Sequence, residues 1–327
     1  MNQIDLSIVI VSFNTRDVLR ECLAYVFASQ FDGSFEIFVV DNDSRDGSEQ
    51  MVLSEFPQVK LLQAGRNRGF GPANNIALQQ AKGRYLVLLN SDAFLAGDTL
   101  QQAMAHMDAD ASCGAGGARL IGRNGEWQPS GRCYPTPLLD AFTMLGLAYH
   151  FPKSRIFGRM DRTYADQNIA AEVDWVVGAF AIIRADALQK TGFFDERFFL
   201  YYEEVDLFLR IQQAGYRIMY WPDLVVVHVG GESSKQQTTL EMSNTGGQLL
   251  LWRMRSAFLY YGKRGGGRAW MTNKVEGAYY RLVLFRNFFS TSEKRKASRE
   301  RARVSLRLLR QAWQDTQGGR ISPTQPW

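Results

Sequence analysis

Short unbroken apolar runs alternate with amphipathic stretches along the first hundred residues. LSIVIVS at Leu6–Ser12 is a β-branched run of the kind found in strands covered on both faces. FEIFVV at Phe35–Val40, the segment Val59–Gln63 and YLVLL at Tyr85–Leu89 repeat the pattern. Between them, helical spacing predicts a helix over about Arg16–Ala28, capped by Asn14 or Thr15. Further helices are expected from the polar turn Asn42–Ser48 to about Glu55, from Pro72 to about Lys82, and over Gly97–Asp108. Strands alternating with helices predict an open, mostly parallel α/β sheet flanked by helices.

The pattern loosens afterwards. Residues 118–174 read as loop-rich, with Pro129, Pro135, Pro137 and Pro152. Val173–Ile183 is strand-like, a helix is expected at Ala185–Gln189, and another from Tyr202 to about Ala214. Leu224–Val229 reads as the last strand. Beyond about Gln237 the sequence turns to helices carrying arginine and aromatic residues. No apolar run approaches the ~20 residues of a membrane-crossing helix, and the N-terminal segment lacks the basic start of a signal peptide. A cytoplasmic protein is expected.

Composition narrows the class. The chain has 327 residues, 46% hydrophobic and 22% charged, as an ordinary globular protein has. Three cysteines without close spacing fit a reducing compartment and offer no zinc-like pattern. Charge is divided unevenly. Residues 1–250 hold 21 Lys and Arg against 29 Asp and Glu, whereas residues 251–327 hold 17 against 4. An acidic body with a basic tail suggests that the tail meets something anionic, phospholipid or nucleic acid.

Candidate chemistry gathers at the strand ends, where such sheets bind ligands. Asp41 closes the second strand. A carboxylate there accepts from a nucleotide base or ribose, or else closes an Asx turn over Asn42–Asp46. The loop Gly65–Gly71 (GRNRGFG) leads into a helix N-terminus suited to anions. It matches neither the dinucleotide pattern, since Asn74 stands where a third glycine belongs, nor a P-loop. Asn90-Ser91-Asp92 follows the fourth strand, where Asp92 can hold a divalent cation against phosphates or cap the next helix. Tyr202-Glu203-Glu204-Val205-Asp206 is the densest acidic cluster. A carboxylate in a first helical turn stays ionised and suits a general base. Glu203, Asp206 and Arg210 share a helix face, with Glu204 about 100° away, and Asp206–Arg210 also reads as a plain ion pair. His228 closes VVVH as a structural histidine or a metal ligand. Trp175 and Gly178 lie in an apolar strand, where glycine admits a ligand backbone-close or simply packs.

Taken in order, SIVIVSFN (Ser7–Asn14), VVDNDSRDGS (Val39–Ser48), NRGFGPANN (Asn67–Asn75), LLNSDAFL (Leu88–Leu95), VDWVVGAFAIIR (Val173–Arg184), Gly192–Arg217 and WPDLVVVHVGGESS (Trp221–Ser234) resemble glycosyltransferase family 2, most of all its rhamnosyltransferase-like subgroup. The resemblance implies a GT-A fold and inverting transfer from a nucleotide-sugar. It places Asp41 at the base, Ser12 and Asn14 beside the nucleoside, and Asn67, Gly69 and Asn74 on the donor loop. Asp92 matches the last acid of the family's metal motif, with Asn90 in place of the first acid, Ser91 between them, and His228 as the late histidine ligand of a Mn or Mg ion. Glu204 falls where the family has its catalytic aspartate, one methylene longer. Glu203 precedes it on the acceptor side, with Trp175 and Gly178. The implied donor is dTDP-rhamnose, with uridine-diphosphate sugars next, and the acceptor a cell-surface polysaccharide or lipid-linked glycan.

The expected organisation is a catalytic domain over 1–237, its nucleotide-sugar half about 1–117 and its acceptor half about 118–237, followed by a helical basic extension over 238–327. In that extension Trp252, Phe258, Tyr260 and Tyr261 alternate with Arg253, Arg255, Lys263 and Arg264, and Tyr279, Tyr280, Leu282, Phe285, Phe288 and Phe289 alternate with Arg281 and Arg286. Aromatic and basic residues together suit an interfacial helix on an anionic leaflet, which predicts a peripheral enzyme on the cytoplasmic face of the inner membrane. The alternatives are a nicotinamide-dependent oxidoreductase, against which the missing glycine counts, and a nucleic-acid-binding protein using the tail. An acidic body without a nucleic-acid motif argues against the latter.

Overall fold

The computed structural model describes residues 4–230 and 247–323. The end of the last family-like segment, 231–234, and the expected boundary at 237/238 lie outside the described residues. In chain order the elements are β1 (Leu6–Ser12), α1 (Arg16–Phe27), β2 (Phe35–Asp41), α2 (Ser48–Glu55), β3 (Lys60–Gln63), α3 (Phe70–Leu78), β4 (Tyr85–Asn90), β5 (Ala93–Leu95), α4 (Thr99–Ala109), β6 (Cys113–Ile121), β7 (Trp127–Gln128), β8 (Gly131–Arg132), α5 (Pro137–Met144) and α6 (Leu147–His150). They continue with β9 (Ala171–Glu172), β10 (Trp175–Val176), β11 (Phe180–Arg184), α7 (Ala185–Thr191), α8 (Glu203–Gln213), β12 (Arg217–His228), α9 (Gly247–Lys263), α10 (Arg268–Arg286) and α11 (Glu293–Asp315).

The chain divides into two compact units. The first comprises the described parts of 1–134 and 204–236 together with 161–195, and is built on one sheet ordered β3-β2-β1-β4-β11-β6-β12-β5. β3, β2, β1 and β4 run parallel, β11 lies antiparallel to β4 and β6, and β12 runs parallel to β6. The β-branched runs are buried on both faces as their composition requires, with Leu6, Ile8, Ile10, Val87 and Ile182 in one core with Leu19, Leu23 and Val26 of α1. Register places Ser12 opposite Asp41 and Val11 opposite Asn90, so three polar strand ends share one edge.

Several local expectations change. Neither Asn14 nor Thr15 caps α1 through its side chain, because each is committed elsewhere. α3 starts two residues before Pro72 and stops at Leu78. The stretch expected as loop contains the last four residues of β6, Ala118–Ile121, and the strand's first five, CGAGG, lie in a segment for which the sequence predicted no element. Its glycines make room: a Cβ on Gly116 would run into the Trp221 ring, and one on Gly117 would come within 2.6 Å of Val176. Val173–Ile183 is broken into β10 and β11, and β12 begins at Arg217 and crosses Pro222 through a register shift between Trp221 and Val225.

The second unit gathers 135–160 and 196–203 with the described part of 237–327. α9, α10 and α11 pack on one another and α5 rests on α10. α11 buries Ala302, Leu306, Leu309 and Ala312 at helical spacing. Arg255 pairs with Asp315 at 2.5 Å, and Arg253 pairs with Glu276 at 3.1 Å. Tyr261 Oη donates to the buried Asp140 carboxylate at 2.5 Å. Trp252, Phe258, Tyr260 and Tyr261 are therefore core residues, not an interfacial face, since all four are buried. The exposed aromatics are further along: Trp270, Phe285, Phe288 and Phe289, the last 91% exposed. Among the described residues no helix is long and apolar enough to cross a membrane.

Candidate active site

The carboxyl-end edge of the first unit collects the polar residues singled out from the sequence. Ser12 Oγ lies 3.0 Å from Thr15 Oγ1, which donates to Ser91 Oγ at 3.1 Å, so one hydroxyl chain ties the end of β1 to the end of β4. Asn14 adopts a left-handed backbone (φ 52°), and its Oδ1 accepts from the Arg45 N–H at 2.7 Å. Asp41 is buried. Its Oδ2 accepts from the Ser44 N–H at 3.2 Å, so the Asx turn is real, while Oδ1 is buried without a partner. An orphaned carboxylate oxygen is costly unless a donor meets it.

The glycine loop is held by a residue the sequence did not flag. The Asn42 carboxamide donates to Asn67 Oδ1 at 3.0 Å and to the Gly69 carbonyl at 3.1 Å, and accepts from the Arg68 N–H at 2.9 Å. Asn67 Oδ1 also accepts from the Gly69 N–H. Gly69 needs its lack of a side chain, with φ 85° and ψ −170°. Asn74 turns inward instead, donating to the Phe70 carbonyl inside α3.

β5 pairs antiparallel with β12, His228 opposite Ala93, and this brings His228 Nε2 within 3.5 Å of Asp92 Oδ1 and 3.4 Å of the Asn90 amide. Gln128 of β7 fixes the ring: its Oε1 lies 2.9 Å from His228 Nδ1, and its amide donates to the His228 carbonyl. With a proton on Nδ1, the Nε2 lone pair faces Asp92. This is how metal-binding histidines are oriented by an outer partner. Among the described residues no cluster of three His, Cys, Asp or Glu surrounds a cation position. Two protein ligands still suit a hard cation that takes its remaining oxygens from substrate phosphates and water, so Asp92 and His228 fit that role.

The Asn90 N–H donates to the Ala179 carbonyl at 3.1 Å, which sets Gly178 next to the β4 end. The Gly178 N–H points at Glu204 Oε1, 3.4 Å away, and a Cβ on Gly178 would lie 3.0 Å from that oxygen and 3.1 Å from the Phe70 ring. Burial pushes the Glu204 carboxyl above its usual range, against the opposing pull of two backbone N–H groups and Arg132. Trp175 donates to the Cys133 carbonyl at 3.0 Å, and the Arg132 guanidinium, paired with Asp161, lies over its ring. Asp206 pairs with Arg210 at 2.8 Å, and Arg210 also holds the Thr191, Gly192 and Phe193 carbonyls, so this pair is architectural.

The first unit thus brings Ser12, Asp41, the Asn67–Gly69 loop, Asn90, Ser91, Asp92, His228, Gly178 and Glu204 to one edge. Glu203 is buried at the head of α8. It follows Tyr201 and Tyr202, two consecutive non-glycine residues with positive φ (69° and 67°). Such backbone persists only when its surroundings hold it, and the Tyr202 ring packs 5.4 Å from Tyr260. The sequence offered Thr15 only as a helix cap and Asn42 only as the start of a turn, because polar residues there look like local turn chemistry, and Gln128, in the two-residue strand β7, carried no signal of its own.

Known proteins share this fold and stretches of this sequence. The sequence profile described as Glycosyl transferase family 2 matches residues 7–192, more than half of the chain. An N-acetylglucosaminyl-diphospho-decaprenol L-rhamnosyltransferase of Mycobacterium tuberculosis is 26% identical over 204 residues, 59% of this chain and 66% of that protein. Rhamnosyltransferase WbbL of Escherichia coli is 24% identical over 276 residues, 79% of this chain and 92% of it. Among solved structures, mannosyltransferase PcManGT of Pyrobaculum calidifontis, in complex with GDP-Man and Mn2+, superposes with a TM-score of 0.54 at 16% identity, covering 96% of this chain and 88% of that one. Staphylococcus aureus TarS 1-349 in complex with UDP superposes with a TM-score of 0.52 at 19% identity, covering 97% and 92%. The fold is the GT-A fold of these transferases.

Proposed function

The chain belongs to glycosyl transferase family 2, and on that premise we propose that it moves a hexosyl group, with inversion, from a nucleotide-sugar to a hydroxyl of a glycan or lipid-linked glycan. The observation that carries the proposal is the Glu204 carboxylate held against Gly178 beside the β4 end, on the edge where Asp41 and Asp92 stand. Glu204 would take the proton of the acceptor hydroxyl as its oxygen attacks the anomeric carbon. The bond from that carbon to the diphosphate oxygen breaks on the opposite face, and the nucleoside diphosphate leaves. A carboxyl whose affinity for protons is raised by burial is a stronger base once ionised.

Asp41 Oδ1 would accept from the nucleotide base, Ser12 and Asn14 would line the nucleoside, and Asn67 and Gly69 would shape the loop over the donor. Asn90 and Ser91 would border the diphosphate. Asp92 and His228 would hold a Mn or Mg ion, which supplies charge neutralisation for the departing diphosphate. Trp175, Gly178 and Glu203 would form the acceptor side. In domain terms, residues to about 117 would serve the donor and those to about 237 the acceptor. The names of the mycobacterial and E. coli relatives support rhamnose as the donor sugar, and the family resemblance implies dTDP as its carrier. The exposed aromatics of 270–289 beside exposed Arg281 and Arg286 support attachment to the cytoplasmic face of a membrane.

The test is a thermal-shift panel of dTDP, UDP, GDP and NAD with and without Mn²⁺. A ligand that binds only the folded state raises the melting temperature. A manganese-dependent shift with dTDP, and with UDP next, is expected; a shift with NAD alone would overturn the proposal. Glu204→Gln should keep that shift and lose transfer by at least 10²-fold. The acid limb of wild-type kcat/KM should fall above the ordinary glutamate range, because activity needs Glu204 ionised and is lost as pH drops through its raised value. Full activity in Glu204→Gln would move the base elsewhere.

A further inference from the structure

A concave site lies within the other unit. It has a volume of about 550 Å³ and is bounded by the end of α9, the turn into α10, and the turn that follows α11. Four basic side chains stand in its lining, Arg197, Lys263, Arg268 and Arg320, with no acidic one among them. All four are exposed. Four cationic side chains around one hollow give it a chemistry that suits a multivalent anion.

The backbone is shaped for the same purpose. Gly265, Gly266 and Gly267 have φ of 66°, 65° and 70°, and Gln317, Gly318 and Gly319 have φ of 47°, 70° and 88°. Two successive left-handed turns thus form opposite walls. They close at the floor, where a Cβ on Gly262 would strike the Gly319 carbonyl and one on Gly319 would strike that of Phe258. They stay open at the mouth, where a Cβ on Gly265 or Gly267 would meet nothing within 4 Å. Arg268 donates to the carbonyls of Arg264 at 2.8 Å and Gly265 at 3.2 Å, which covers the negative ends of that turn. The first turn of α10 also borders the cavity, and its leading N–H groups lack partners within the helix. Trp270 and Trp313 give the site apolar faces beside the charge.

We propose that this cavity is a binding site for a phosphate or diphosphate group, separate in its residues from the donor site. Four cations match a group of two or more negative charges better than a single carboxylate, and guanidinium forks suit phosphoryl oxygens. The group has two sources, free inorganic anion or the headgroup of an isoprenoid diphosphate, and the tryptophans favour the second.

Calorimetry on the full chain tests this, in an Asp92→Ala background so that the donor edge contributes little. The probes are inorganic diphosphate and farnesyl diphosphate in neutral detergent micelles. Lys263→Gln with Arg320→Gln should weaken binding at least tenfold. Both positions are exposed, and Arg197→Gln on a separate segment serves should the double variant not fold. A loss for both probes supports the site with the anion alone as ligand. Binding and loss confined to farnesyl diphosphate supports it with the lipid as source. No binding of either probe, or binding that the variants leave unchanged, overturns it. Glu204→Gln should not alter either affinity, so failure of the catalytic proposal would leave this result readable.

Discussion

Asp41 carries two claims on one carboxylate. Oδ2 closes the turn with Ser44, and Oδ1 is buried with nothing to accept from. Asparagine separates them, because its amide oxygen can keep the turn while its NH₂ cannot accept from a base. Asp41→Asn should therefore leave the melting temperature of the ligand-free protein unchanged or higher. It should weaken nucleotide binding about 10- to 100-fold, the range for a lost hydrogen bond to a charged group. Melting curves and nucleotide titrations check the two halves independently. Unchanged affinity would make Asp41 an architectural residue. Glu203 and Glu204 divide in a comparable way: helix geometry read from the sequence turns them apart, and of the two it is Glu204 whose carboxylate faces Gly178.

At the level of elements, β1 to β4 and their helices were legible because a β-branched run covered on both faces has few other destinies. β6 was not, since its glycines serve the Trp221 and Val176 side chains across the sheet, a fact of tertiary packing. β12 hid behind Pro222, which the register shift accommodates. The aromatic and basic alternation of α9 pointed to an interface, yet its aromatics fill a core and its arginines pair across helices. The site was legible where motif residues end a strand and illegible where they are held by another element. β7 is the sharpest case: two residues long, it exists to bring Gln128 to both His228 Nδ1 and the His228 carbonyl. Gln128→Ala should weaken manganese-dependent nucleotide binding 10- to 100-fold, the usual cost of losing an outer partner of a metal ligand. Metal-free binding should hardly move. Titration of nucleotide at several Mn²⁺ concentrations checks this, and an equal loss with and without metal would assign Gln128 a purely structural part.

Over the whole molecule, charge is divided as the sequence indicates, acidic over residues 1–250 and basic over 251–327. The second unit nevertheless buries Asp140 and Glu276 beside Arg253. Burial pushes the Asp140 carboxyl up to about 6, with the Tyr261 hydrogen bond and Arg253 pulling down and Glu276 pushing up. The folded value exceeds the unfolded one, so the proton favours the fold. This contribution is complete below about pH 4 and is lost as pH rises through about 6. Raising the carboxyl from 3.8 to about 6 corresponds to roughly 3 kcal/mol. Asp140→Asn cannot ionise, and its amide oxygen still accepts from Tyr261, so the variant should gain on the wild type by up to that amount between pH 4 and pH 7. Denaturant unfolding followed by tryptophan fluorescence is suitable, because Trp252, Trp270 and Trp313 all lie in this unit. If both proteins lost stability equally over that range, Asp140 would be ionised in the fold, and Arg253, not the proton, would be what the buried carboxylate depends on.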